Sequence, residues 1–243
     1  MKGMSLLKKL AGETAIYGIG SILSRLLHWV ILTPYFTRIF LQGEYGVVQE
    51  FYTYAALLMV LFTYRMETAF FRFGSKEEGF ERPFSTASLS LLISTILLVT
   101  VFLLFSQPLA DWLQYPDHRE YVIWFTFIIA FDALAAIPFA RLRLENRPIR
   151  FAALKTLNIL INILFIFLFL EVVPWLIERG WNGLEVIYND ANRINYVFLS
   201  NMIASLCILL LLLPAYAHIR LVFDRGLWRE MIYYAFPLVV AGL

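Results

Sequence analysis

Apolar runs separated by short charged breaks fill the chain from end to end. A helix rises about 1.5 Å per residue, so about 20 mostly apolar residues cross the hydrocarbon of a bilayer. On that measure the pattern predicts six membrane helices, over roughly 14–36, 46–64, 84–106, 120–140, 152–171 and 195–217. The third, with "LSLLISTILLVTVFLLF", is the clearest, and the second is the weakest because Glu50 sits near its start. A seventh run opens near 230 with "MIYYAFPLVVAGL" and is cut short at Leu243. The expected organisation is therefore an all-α six-helix transmembrane lobe over 1–217, a cytoplasmic linker over 218–229 and the start of a seventh helix over 230–243, as part of a longer protein. Membrane β-strands would be about ten residues long and alternating, which these runs are not.

The first helix is the unusual one. In "YGIGSILSRLLHWVILTPYF" (17–36) a guanidinium, Arg25, stands mid-span. Thr14, Gly18, Ser21, Arg25 and His28 follow one another at spacings of three and four, so they share one helical face. An arginine at the bilayer centre costs about 2.5–3.5 kcal/mol on the insertion scale, so something must offset it. Asp132, in the fourth helix, is at similar estimated depth. Three readings stay open: a neutral Arg25–Asp132 pair that holds helices together, a hydrated cavity in which Arg25 meets an anionic ligand, and separate solvation of each.

Other polar positions carry less. Asn158 with Asn162, and Asn201 with Ser205, are four apart and suit hydrogen bonds between helices. Glu50 and Tyr54 share a face near the outer end of the second helix, and Arg65, Glu67 and Arg72 suggest a local ion-pair cluster at its inner end. "RPIR" at 147–150 suits anionic headgroups, although topology alone accounts for it. Pro34, Pro138, Pro214 and Pro237 fall in or near helix ends, where a proline either terminates or bends a helix.

Composition supports the membrane reading. Of the 243 residues 60% are apolar and only 16% charged, against about 45–50% and 25% in soluble domains. A net charge of +2 gives no reason to expect nucleic acid as a partner. With the N-terminus placed inside, all of the 20 Lys and Arg residues except Arg25, Arg38, Arg119, Arg179 and Arg193 fall on the inner side. That imbalance is the positive-inside pattern and predicts a multi-pass protein with a cytoplasmic N-terminus. Trp112 and Trp175 fall just past outer helix ends, where aromatic belts sit. Lys2, Lys8 and Lys9 precede the first run as in a signal peptide, but its length and Arg25 mark a retained helix. The lone Cys207 and three scattered histidines suggest neither a disulfide nor a metal site. No phosphate-cradling glycine loop, His-Glu-x-x-His or Gly-x-Ser-x-Gly motif is present, so no enzyme and no cofactor is expected.

Four stretches resemble a known family. "SRLL" at 24–27, "PYFTRIFLQGEYGVVQEFY" at 34–52, "YRMETAFFRF" at 64–73 and "RGLWREMIYYAFPLVVAGL" at 225–243 are similar to the N-terminal part of polysaccharide flippases. These belong to the multidrug/oligosaccharidyl-lipid/polysaccharide exporter superfamily. The resemblance implies a two-lobe fold like that of the multidrug and toxin extruders, of which this chain is one lobe. It implies alternating access around a cationic cavity in the bacterial inner membrane, and a cargo of oligosaccharide on a polyprenyl diphosphate, bound for cell-surface polysaccharide or lipopolysaccharide. Arg25 would meet the diphosphate or an acidic sugar, aided by His28 and Arg38. Asp132 would hold Arg25 or couple to a cation. The rival expectations are an ion-coupled drug antiporter of the same superfamily, with Asp132 as its proton or sodium site, and a membrane scaffold subunit.

Overall fold

The computed structural model describes residues 18, 22–23, 26–76, 79–184, 188–189, 192–217 and 222–242, and every regular element among them is helical. A wide π-helical turn, His28–Leu32, leads into α1, Thr33–Ile39. There follow α2 (Gln42–Thr63), α3 (Met66–Gly74), α4 (Glu81–Leu104), α5 (Ser106–Trp112) and α6 (Arg119–Leu144). Next come α7 (Pro148–Phe167), a second π turn (Leu168–Val172) running into α8 (Val173–Glu178), α9 (Arg193–Leu212) and α10 (Arg225–Val240).

Both wide turns have the same local cause. Proline lacks an N–H and crowds the carbonyl four residues back. Ahead of Pro34 the Thr33 N–H reaches back five residues to the His28 carbonyl, and ahead of Pro174 the Val173 N–H does the same to Leu168. The helix stays continuous in a setting where an unpaired backbone group is costly. Pro138 lies inside α6, which runs on to Leu144, so it does not terminate the helix. Two non-glycine residues in succession, Tyr64 (φ 34°) and Arg65 (φ 56°), take the left-handed conformation and break α2 from α3.

Five helices among the described residues are long and apolar enough to cross a membrane: Gln42–Thr63, Glu81–Leu104, Arg119–Leu144, Pro148–Glu178 and Arg193–Tyr216. They coincide with the second to sixth spans expected from sequence. Of the first expected span, 14–36, residues 18, 22–23 and 26–36 are described, and its second half forms the π turn and the start of α1. Their apolar side chains point outward as well as inward. On α4, Ile93, Leu97 and Leu104 are 64%, 64% and 74% exposed. An apolar surface of that extent suits lipid and not water. The chain is thus an all-helical protein with helices compatible with several membrane crossings.

α6 is the centre of the bundle. Its apolar window is 61% buried, against 22% for α4 and for α7–α8, and α2, α3, α4, α5, α7 and α9 pack on it. One end is sealed by interlocking rings. Phe51, Tyr121, Phe125 and Phe198 meet at centroid distances of 4.6 to 5.7 Å, mostly edge-on or tilted. Above them the Tyr115 hydroxyl donates to Glu50 (2.6 Å), and Asn201 donates to Tyr52 (3.0 Å), joining α9 to α2. Burial, with Glu50 beside it, pushes the Tyr115 phenol up to about 12.

The opposite end gathers the basic side chains and docks α10. The Asp224 carboxylate caps α10 by accepting from the Leu227 N–H (3.0 Å), and it also accepts from Arg82 Nε (2.8 Å). Ser85 donates to the Val222 carbonyl (2.7 Å), and Trp228 Nε1 donates to Ser90 (2.7 Å). Below this clasp, Met66, Phe70, Phe84, Leu91, Ile137 and Met231 close a buried cluster between α3, α4, α6 and α10. The Leu227 N–H first, then Arg82, hold the Asp224 carboxyl below the usual carboxylate range. A lowered folded-state pKa means the clasp is fully present above the unfolded value and lost as pH falls through the folded one. Hydrogen exchange of the α10 amides, corrected for intrinsic rate, is therefore expected to rise in the wild type only below about pH 4. In Asp224→Ala it is expected to be raised at neutral pH and to change little on acidification.

Candidate functional site

Between α2, α6 and α7, at the end that carries the basic residues, the bundle encloses a cavity of about 570 Å³. Each wall is one stripe of a helix. α6 contributes Asp132, Ala135, Ala136, Phe139 and Arg143, α7 contributes Phe151, Lys155 and Asn158, and α2 contributes Ala56, Met59, Val60 and Thr63. Steps of three and four keep each set on one face. The alanines on α2 and α6 leave the space that the charged side chains share. The strained turn at Tyr64–Arg65 brings Arg65 and Glu67 to the same cavity. Gly242, past the end of α10, lies so close to the Arg65 guanidinium that a β-carbon there would overlap it.

Two of the cations are held by rings. The Lys155 ammonium, from α7, sits 4.3 Å from the centroid of Phe139 on α6, and the Arg143 guanidinium, from α6, sits 5.8 Å from Phe151 on α7. The two rings meet edge to face at 5.5 Å. This reciprocal brace fixes both cations through the faces of π systems. Their N–H groups are not consumed by it, and among the described residues neither Lys155, Arg143, Arg65, Glu67 nor Asp132 is in a direct ion pair. Arg141 and Arg147 differ: both pair with Glu145, at 2.6 and 3.0 Å. One Glu67 carboxylate oxygen is buried without a hydrogen-bond partner. Burial pushes the Glu67 carboxyl up from its ordinary range, against the pull of Arg65 and Arg143 beside it.

Of the residues singled out from the sequence, Asp132 lines this cavity. Arg25, with Thr14 and Ser21 of its stripe, lies outside the described residues. His28 is half-buried in the first π turn, and Arg38 is exposed in the last turn of α1; neither lines the cavity. Asp132 shares the cavity with Lys155. The cluster expected at Arg65, Glu67 and Arg72 divides, because Arg72 instead lies over the Tyr234 ring of α10 at 4.1 Å. Asn158 lines the cavity as well. Sequence reasoning assigned Arg143 and Lys155 to an inner loop on charge alone. The signal that could have placed them is the small-and-polar stripe that runs through them on α6 and α7.

A second, wholly apolar groove of about 350 Å³ lies toward the other end, lined by Phe51, Leu57, Leu58, Phe102, Trp112 and Phe125 among others. No group of three or more His, Cys, Asp or Glu that could hold a metal is present among the described residues. The first cavity can therefore stabilise an anion of several oxygens, with three cations and the Asn158 amide around it. Compared with family models, curated proteins and solved structures, the chain finds no match.

A wet cavity is directly testable. In a Cys207→Ser background, Ala56→Cys and Asn158→Cys are expected to react in membranes with a charged, water-soluble thiol reagent. Ile129→Cys, from the apolar interior, is expected to stay unreactive.

Proposed function

We propose that the chain is the N-terminal lobe of a flippase that carries polyprenyl-diphosphate-linked oligosaccharide across the cytoplasmic membrane. The observation that supports this reading best is the meeting of Arg65, Arg143 and Lys155 in one cavity inside an apolar bundle. Three cations outnumber the two carboxylates, Glu67 and Asp132, so the lining favours an anionic ligand. Guanidinium groups present paired donors that match phosphate oxygens, and the lysine adds a point charge. The apolar bundle around the cavity lowers the local dielectric below that of bulk water, which strengthens each of these contacts. The order of the four family-like segments supplies the cargo class, and the basic end, placed at the cytoplasm by the positive-inside pattern, supplies the loading side. Arg25, on the polar face of the first helix, would extend the same cationic lining. A cation or drug antiporter would be better served by a carboxylate majority.

In the full-length protein, Arg143→Ala, Lys155→Ala and Arg65→Ala are each expected to lower complementation of a flippase-deficient strain. A charge-assisted hydrogen bond is worth about 1.5–3 kcal/mol, or roughly a ten- to hundredfold loss of ligand affinity. Arg143→Lys is expected to retain more function than Arg143→Ala. Arg25→Ala and Arg25→Lys test the first helix separately. Wild-type surface polysaccharide from a normally expressed Arg65→Ala/Arg143→Ala/Lys155→Ala protein would sink the proposal.

A further inference from the structure

Lys155 occupies an unusual position among the basic side chains. Phe139 holds its ammonium from one side, and no carboxylate contacts it directly. Across the same cavity stands Asp132, also without a direct ion pair among the described residues. The two line one cavity from neighbouring helices, α6 and α7. The other groups facing Asp132 are few. Ser205 approaches it from α9 and Tyr52 from α2, with the Tyr52 hydroxyl already accepting from Asn201. Arg143 lies along α6, and Arg65 and Glu67 lie at the cavity mouth. Asp132 is therefore placed in the same cavity to serve as the internal counter-anion of Lys155 until a ligand arrives.

An incoming anion seeks the same ammonium. With Asp132 ionised, the ligand meets a like charge in the same cavity, and that repulsion opposes binding. A proton on Asp132 removes that repulsion and leaves Lys155 to the ligand. We infer that Asp132 and the bound anion exchange places as partner of Lys155, so that loading of the cavity takes up one proton at Asp132. This deepens the anionic-cargo reading and rests on it. The step balances simply: one proton leaves solvent for the Asp132 carboxylate oxygen, and no other bond is made or broken.

The test is a pH series of binding on the full-length protein in nanodiscs. The probe is farnesyl-diphospho-N-acetylglucosamine, a diphosphate diester that does not itself titrate between pH 5 and 8. Calorimetry in buffers of different ionisation enthalpy counts the protons taken up. For the wild type the expected result is uptake approaching one proton, with Kd falling by up to about tenfold per pH unit on acidification. Asp132→Asn is expected to bind tightly at every pH with no uptake, and Glu67→Gln to keep the wild-type dependence. Should Asp132→Asn not fold, Lys155→Gln serves: binding weakens and proton uptake falls, since the competition is gone. Tight wild-type binding without proton uptake would overturn the exchange and leave the anion site standing. Loss of the pH dependence in Glu67→Gln would also overturn it, by moving the proton to Glu67. Absence of any wild-type binding from pH 5 to 8 would instead overturn the anionic-cargo reading itself.

Discussion

A charged side chain held inside an apolar bundle must be given either a partner or room for water and ligand. α6 faces this constraint most sharply, because other helices pack round it and it still carries Asp132 and Arg143. The solution is volume. Alanines at 135 and 136, with Ala56 on α2, leave room along one stripe, and charge from three segments of the chain converges in the space. The reciprocal contacts of Lys155 with Phe139 and of Arg143 with Phe151 then set where the cations stand without neutralising them.

The two ends of the bundle are built from opposite materials. One is packed with rings around Phe51, Phe125 and Phe198, in tilted and edge-to-face contact. The other is open, charged and braced by backbone-capping and side-chain hydrogen bonds between α4 and α10. Such a division puts the polar cavity at one end and the aromatic packing at the other. It also explains how a polar cavity persists in a bundle whose outer surface is suited to hydrocarbon.

The spans were legible because a membrane helix announces itself by length and composition, and α2, α4, α6, α7 and α9 lie within a few residues of the expected runs. Asp132 was legible as a carboxylate too deep to be ornamental. Arg143 and Lys155 were not, because the charge rule that locates cytoplasmic loops explains them equally well, and only the packing of α7 against α6 turns them inward. The left-handed pair at Tyr64–Arg65 was hidden too, since neither residue type signals such a turn and tertiary contacts fix it. Arg25, the clearest feature of the sequence, lies outside the described residues, so its place on a polar helical face rests on spacing alone.

That turn has a cost with a purpose. Glycine enters the left-handed region freely, whereas a side chain held there costs of order 1–3 kcal/mol. A glycine at 65 would relax the backbone and bring no guanidinium to the cavity. The Tyr64 hydroxyl meanwhile ties the bend to Ser90, the same oxygen that receives the Trp228 indole. The bend, the cation it carries and the docking of α10 are thus joined through a single serine hydroxyl, so a loosening at any one of them is felt at the other two.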